Sequence, residues 1–260
     1  MASVSLMIAT YEKYFNPKTK YDIFCGPGSS FKEDTVQKPL KWLVKIFNSG
    51  KVKGDSFMQI GMTYLIHLLL PATKAFNEIF VADVLDINLQ AGRKWQEKEP
   101  GAIDISSAVK VFCELEGHGE KGIEKEDELR RKNIQQMKCD ITAKDPLLPK
   151  ILPPVDCLFL VHCLETFSPD KETYPKLLKN ISTLLESGGN LLMIVWLNCT
   201  FFMVESFKVT SLCVDDGFVR KVLTETGFVI EEFTVVPRSE KNLYSLTDAS
   251  SALYVVAKKV

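Results

Sequence analysis

The sequence predicts an α/β fold built on a mainly parallel sheet. Three observations carry that expectation. Short apolar runs, ending near a glycine or an acid, alternate with segments of helical periodicity. No repeat of roughly 20–50 residues is visible, which argues against a solenoid. No long Pro/Gly/Ser linker interrupts the 260 residues, so residues 1–260 read as one domain.

Charge and composition narrow the function. Lys plus Arg total 32 and Asp plus Glu 33, a net charge of −1, which gives no basic face for nucleic acid. A hydrophobic share of 46% with 25% charged residues belongs to a chain that folds around a core, which excludes disorder and collagen.

Each element follows from its local pattern. The opening MASVSLMIATYEKYF lacks a basic segment before its apolar stretch and does not read as a signal peptide. Between Asp34 and Phe47, Leu40, Leu43, Val44 and Phe47 share one helical face. Lys53-Gly54-Asp55 is a turn, and SFMQIG from Ser56 is a buried strand ending at a glycine. TYLIHLLL suits a helix. EIFVADV, Glu78 to Val84, is a second strand ending near an acid, and LDINLQAGRKWQEK is its following helix. The charged stretch His118 to Lys132 reads as a solvated helix. Its Glu126/Arg130, Asp127/Arg131 and Glu128/Lys132 spacings are each worth about 0.2–0.5 kcal/mol. VDCLFLVHCL from Val155 is the central strand. From Thr173, apolar positions at Leu177, Leu178, Ile181, Leu184 and Leu185 predict a helix stopping at Gly188-Gly189. NLLMIVWL is the next strand, Asp215 to Thr226 a helix, and FVIEEFTVV and ALYVVAKKV two late strands.

Ser56–Thr73 and Ser187–Val204 carry no formal charge and have the length of a short membrane span. Gly61 and Pro71 in the first, and Gly188-Gly189, Asn190 and Asn198 in the second, make each a strand joined to a turn and a further element. The expectation is a soluble protein with no membrane partner. The seven cysteines (Cys25, Cys113, Cys139, Cys157, Cys163, Cys199, Cys213) form no C-x-x-C pair. They read as reduced structural thiols of a cytosolic protein, with no metal site.

In a parallel α/β sheet, ligands bind outside the carboxyl ends of the strands. Gln59-Ile60-Gly61 and Asp83 are therefore the informative ends. Gly61 and Asp83 are 83 − 61 = 22 positions apart. An acid about 20 residues after a first-strand glycine commonly binds ribose hydroxyls. Asp83 equally suits a cap for the helix near Asp86. Asp140, in KCDIT, reads as a turn or cap aspartate. His67 in an apolar run and His162 in the central strand read as core or pocket-lining residues, and His118 as solvated. There is no G-x-S-x-G, H-E-x-x-H or Walker loop, which disfavours hydrolases, zinc proteases and P-loop kinases.

FNPK at Phe15, KGD around Gly54, VADVLDINLQ, KWQEKEPGA, CELEG, KEDELRRKN, KCDIT, PPVDC, TLLESGG and VVAKK stand in one order across about Tyr14 to Lys259. Together they resemble the nicotinamide, indolethylamine and phenylethanolamine N-methyltransferases, closest to the first two. The resemblance implies a Rossmann-like class I methyltransferase fold: a mainly parallel seven-stranded sheet with helices on both faces and a helical N-terminal cap over residues 1–50, with the core at 51–260. It implies S-adenosylmethionine as methyl donor, a small amine or N-heterocycle as acceptor, and a cytosolic monomer. Carried over by position, Gly61 would pass the methionine part, Asp83 and Asn88 would hold the ribose region, Asp140 and the Ile141 backbone would meet the adenine, and Ser211 would line the substrate pocket.

The same resemblance marks departures. The family's first strand ends in an acid and a Gly-x-Gly turn, whereas this chain has Gln59, then Gly61-Met62-Thr63. Thr63 is β-branched and poor wherever φ is positive. Lys20 and Cys25 replace two tyrosines of the cap, His67 a tyrosine, Val161 a threonine, and Val195 and Phe202 an aspartate and a tyrosine of the acceptor pocket. Three readings follow: a working N-methyltransferase with a more apolar pocket, a binding protein that keeps the fold and has lost efficient turnover, or, resting on little beyond the strand-end geometry, a different nucleoside-cofactor enzyme. No residue is expected to act as acid or base, because methyl transfer to a neutral nitrogen depends mainly on alignment.

Overall fold

The computed structural model describes residues 4–117, 122–239 and 246–260. Helices α1 (Val4–Tyr14), α2 (Pro17–Cys25) and α3 (Lys38–Asn48) precede the first strand, with a π-helical turn at Glu33–Gln37 leading into α3. The start of α2 is local chemistry: the Asn16 side chain accepts the Thr19 N–H at 3.1 Å and Pro17 opens the first turn. Helix α3 buries Leu40, Leu43, Val44 and Phe47, the face that the spacing predicts.

Strand β1 (Ser56–Ile60) is followed by a 3-10 turn (Ile66–Leu69) and the short α4 (Ala72–Ala75). Then come β2 (Glu78–Asp83), α5 (Asp86–Gln96), α6 (Ser106–Leu115), α7 (Gly122–Arg131) and β3 (Ile134–Lys138). The second half runs β4 (Val155–Val161), α8 (Leu164–Phe167), α9 (Thr173–Ser182), β5 (Leu185–Leu197), β6 (Phe201–Val204), β7 (Phe207–Thr210), α10 (Asp216–Glu225), β8 (Phe228–Pro237) and β9 (Ser251–Lys259).

Seven strands form one sheet in the order β3-β2-β1-β4-β5-β9-β8, while β6 and β7 make a separate hairpin. Strands β3 to β5 are parallel, and β9 inserts antiparallel between β5 and β8. The chain moves outward from β1 to β2 and β3, then crosses back to lay β4 on the other side of β1. That reversal puts a crevice at the carboxyl ends of β1 and β4. The registers Ile60↔Ala82 and Ile60↔Leu160 bring the three strand ends level.

Several elements differ from the sequence expectation. TYLIHLLL is a turn plus a 3-10 segment, with Pro71 standing before α4. Helix α9 stops at Ser182: the Val155 N–H donates to the Leu184 carbonyl at 2.8 Å and Leu185 already pairs with Val155 in the sheet. Gly188, with φ 78°, serves a bulge in β5 opposite Val155/Cys157 and is no helix stop. His162 lies one residue beyond β4, with φ 47°. Helix α6, the polar edge strand β3 and the β6–β7 hairpin had no clear sequence signal.

In the charged stretch, Glu126 does pair with Arg130. Asp127 turns to Lys98 at 2.9 Å, Glu128 to Lys125 at 2.6 Å, and Lys132 donates to the Phe76 carbonyl at 3.0 Å. Lys98 and the Phe76 carbonyl from other segments, and Lys125 one turn earlier in α7, take the place of the two remaining helical pairs. His118 lies outside the described residues. Among the described residues no helix is long and apolar enough to cross a membrane. All seven cysteines are free, and only Cys213 is exposed.

Candidate functional site

Gly61 shapes the end of β1. Its φ is 83°, and a Cβ there would sit 2.7 Å from the Val161 carbonyl oxygen and 2.9 Å from Cys163 Cβ. Only glycine satisfies both demands. The next left-handed residue is Met62, at φ 43°, and Thr63 is not left-handed. The strain expected at Thr63 is therefore carried by the unbranched Met62, at about 1–2 kcal/mol.

That shift frees Thr63 to bond across to β2. Its N–H and hydroxyl donate to Asp83 Oδ2 at 3.2 and 3.0 Å. Asn88 Nδ2 donates to the same oxygen at 3.0 Å, and the Leu85 N–H to Oδ1 at 2.9 Å. Asp83 is 3% exposed. Burial pushes its carboxyl above the usual range, and the Leu85, Asn88 and Thr63 donors pull it back. Asp83 bonds the Leu85 N–H just ahead of α5 without capping the helix itself, and it also lines a cavity.

Two buried acceptors near this turn have no donor. Gln59 is fully buried; its Nε2 reaches the Gly61 carbonyl at 3.4 Å, and its Oε1 has no partner. Asn88 Oδ1 is likewise unpartnered. Such atoms are costly unless a ligand supplies donors. The glycine cradle, the carboxylate and the Asn88 acceptor suit a ligand bearing hydroxyl groups, whereas Gln59 is fully buried and lines neither of the two spaces at this crevice.

Gly61, Asp83 and Asn88 line a space of about 490 Å³. A larger space, about 900 Å³, lies beside it and is faced by Leu65, Leu68, Ile194, Trp196 and Ser211. Lys20, Met62, Tyr64, His162, Thr166, Phe202 and Met203 border both. Ser211 thus falls in the adjoining chamber, its hydroxyl 3.4 Å from the Glu165 carbonyl. Val195 is buried and lines neither space; Trp196 faces the chamber instead. Asp140 and Ile141 also lie outside both linings. Asp140 Oδ1 accepts the Thr142 N–H and hydroxyl at 2.9 and 2.6 Å, the turn role open from sequence. The Cys139 N–H donates to the Asp83 carbonyl at 2.9 Å, which keeps this segment beside the Asp83 strand end.

The N-terminal helices close the crevice. Lys20 Nζ donates to the Met203 carbonyl at 2.8 Å, and burial lowers its pKa. Tyr21 and His67 are fully buried partners, hydroxyl to Nδ1 at 3.2 Å, and His67 Nε2 lies 3.2 Å from the Thr35 carbonyl. A carbonyl can only accept, so Nε2 carries the proton and Nδ1 accepts from Tyr21. Burial takes the His67 pKa down to about 4, against the opposing Thr35 bond.

Sequence reasoning missed one constellation. His162 stacks on Trp196, rings 4.5 Å apart and 7° from parallel, and its Nδ1 is 3.3 Å from Glu165 Oε1. That oxygen also accepts the backbone N–H of Trp196 at 3.0 Å. The spacing His162-x-x-Glu165 directly after a strand was the available signal. Among the described residues no cluster of His, Cys, Asp or Glu is arranged to hold a metal.

Comparison with known proteins gives this site a context. The chain is 40% identical to nicotinamide N-methyltransferase of Sus scrofa over 244 residues, covering 93% of this chain and 90% of that one. It is 38% identical to the Homo sapiens nicotinamide N-methyltransferase, with 96% and 95% covered, and 35% identical to the Mus musculus indolethylamine N-methyltransferase, with 96% and 94% covered. Among solved structures, magnesium protoporphyrin IX methyltransferase from Synechocystis with bound SAM matches with a TM-score of 0.58 at 12% identity, covering 100% of this chain and 98% of that one. The N-methyltransferase NodS from Bradyrhizobium japonicum matches at 0.51 and 12% identity, with 94% and 98% covered. Those two likenesses speak for the fold alone, whereas residues 4–260 match a family as a whole. With the Gly61–Asp83 cradle at its switch point and homology along nearly its full length, the chain belongs to the NNMT/PNMT/TEMT family.

Proposed function

We propose that this chain binds S-adenosylmethionine over Gly61 and Asp83 and presents a small amine or N-heterocycle to it from the apolar chamber beside it. The observation that carries the reading is the glycine cradle facing a buried carboxylate, with Asn88 Oδ1 left without a donor. When bound, the cofactor supplies a methyl group on a sulfonium centre. The chain's own work is holding and aligning. Asp83 and Asn88 accept ribose hydroxyls, Gly61 gives backbone access to the methionine part, Asp140 and Ile141 border the adenine, and Ser211 meets the acceptor. Alignment of this kind supplies much of the rate of an in-line displacement. The protein acts as a monomer, and its six buried free thiols suit a reducing compartment such as the cytosol.

Titration calorimetry with S-adenosylmethionine, followed by transfer of labelled methyl to a panel of amines and pyridines, tests the reading. Micromolar binding with turnover is expected. Absence of binding at millimolar cofactor overturns it.

A second reading, binding without efficient turnover, is favoured by the Thr63 bonds that occupy Asp83 and by the neutral Gln59 where the family has an acid. Cofactor binding with no methyl transfer to any acceptor of the panel would select it.

A further inference from the structure

We propose that His162 is the acceptor-side base of the cleft, its Nε2 receiving a proton from an amine acceptor. The inference rests on the cleft being the acceptor site, as proposed above. His162 borders both spaces. Its orientation is built. Glu165 is 1% exposed, and its Oε1 is aimed by the backbone N–H of Trp196 at 3.0 Å. That oxygen meets His162 Nδ1 as an acceptor, so Nδ1 keeps the hydrogen and Nε2 keeps the lone pair. The Trp196 indole fixes the ring plane from one face. The Thr166 hydroxyl donates to the His162 carbonyl at 2.6 Å and helps hold the left-handed backbone at φ 47°. Strain retained at a cavity wall is a feature of functional positions.

Nε2 has no hydrogen-bond partner among the described residues. The charged side chains sharing these walls are engaged elsewhere. Lys20 donates to the Met203 carbonyl, Asp34 accepts from Lys38 and the Ser239 N–H, and Asp83 accepts from Thr63, Asn88 and Leu85. The phenols and thiols of the two walls are held neutral by burial. His162 is thus the imidazole of these walls, and its Nε2 lone pair is free and oriented, whereas the open acceptors Asn88 Oδ1 and Asp83 Oδ1 lie on the Gly61 side.

The proton step balances simply. An N–H bond of a bound ammonium breaks, its proton goes to Nε2, and its electron pair stays on nitrogen as the nucleophile. The imidazolium is stabilised by Glu165 through Nδ1–H, making Glu165 a positioning residue. The substrate class follows. An acceptor with an N–H suits Nε2, whereas a pyridine-type nitrogen would set lone pair against lone pair.

The test is titration of the full chain at pH 8 with 2-phenylethylamine and with isoquinoline, with and without S-adenosylhomocysteine, in the wild type and in His162→Leu and His162→Asn. Asparagine tolerates the left-handed backbone and serves where leucine fails to fold. The wild type should bind the amine about tenfold more tightly than isoquinoline, and the variants should lose that preference while retaining isoquinoline. Equal binding of the two probes by the wild type, or a preference unchanged in His162→Asn, overturns the proposal. Failure of S-adenosylhomocysteine to bind would count against the cofactor reading alone, because the amine preference is read without it as well.

Discussion

The Thr63 hydroxyl donates to Asp83 Oδ2 at 3.0 Å, and its backbone N–H donates to the same oxygen at 3.2 Å. With Asn88 on that oxygen too, Oδ2 is saturated, and only Oδ1 keeps a lone pair beyond the one used by Leu85. A ribose diol offers two donors, so Thr63 competes with one of them. Thr63→Gly removes only the hydroxyl, the third donor on Oδ2, and keeps the N–H there, so S-adenosylmethionine binding should tighten by less than the roughly tenfold value of one hydrogen bond to a charged group. Calorimetry checks this; unchanged affinity would mean that Thr63 swings aside at no cost when the ligand enters.

Gln59 predicts an opposite pattern in the ligand-free chain. Its Oε1 is buried without a donor, so Gln59→Asp exchanges a neutral orphan for a charged one. Ligand-free stability should fall by about 2–3 kcal/mol. A ligand ammonium would restore the pairing, so the thermal shift on adding S-adenosylmethionine should exceed that of the wild type. Thermal melts with and without the cofactor decide the point, and equal shifts would place the ammonium elsewhere.

Gly61→Ala tests the cradle. The added methyl meets the Val161 carbonyl oxygen at 2.7 Å at a φ of 83°, and both neighbours are strand-end backbone or Cβ atoms that cannot yield cheaply. A loss of about 2 kcal/mol or more in urea unfolding is expected, together with loss of cofactor binding.

His67 gives a pH signature. Its folded pKa of about 4 lies below the ordinary imidazole value of about 6.5. Between these values the unfolded chain binds more protons, so stability from this group is complete above about pH 6.5 and is lost as pH falls toward 4. The full difference is about 3 kcal/mol. His67→Gln should flatten that part of the urea-midpoint profile, and a parallel profile in the variant would mean that His67 does not carry it.

How much was legible in the sequence can be argued from these residues. Strands β1, β2, β4 and β5 announced themselves as apolar runs, because parallel strands buried on both sides have little other composition open to them. Gly61 and Asp83 were legible as strand ends, but their spacing alone left Asp83 equally suited to a helix cap, and it is the parallel pairing of β1 with β2 that brings the two ends level. Helix α9 was extended too far, because Leu184 and Leu185 satisfy a helical stripe and a sheet core equally well. Strand β3 was missed because its IQQMK sequence shows almost no apolar pattern.

The sequence by itself determined the α/β architecture, the switch-point glycine and acid, and membership of a methyltransferase family, since these rest on local periodicity and on motifs read in order. Tertiary structure alone decided that Met62 takes the strained dihedral, that Thr63 bonds to Asp83, and that His162, Glu165 and Trp196 meet beside the two cavities. The physical reason is that a hydrogen bond depends on which groups come within about 3 Å. Thr63 and Asp83 are 20 positions apart and Glu165 and Trp196 are 31 apart, so their distances exist only once the sheet has formed.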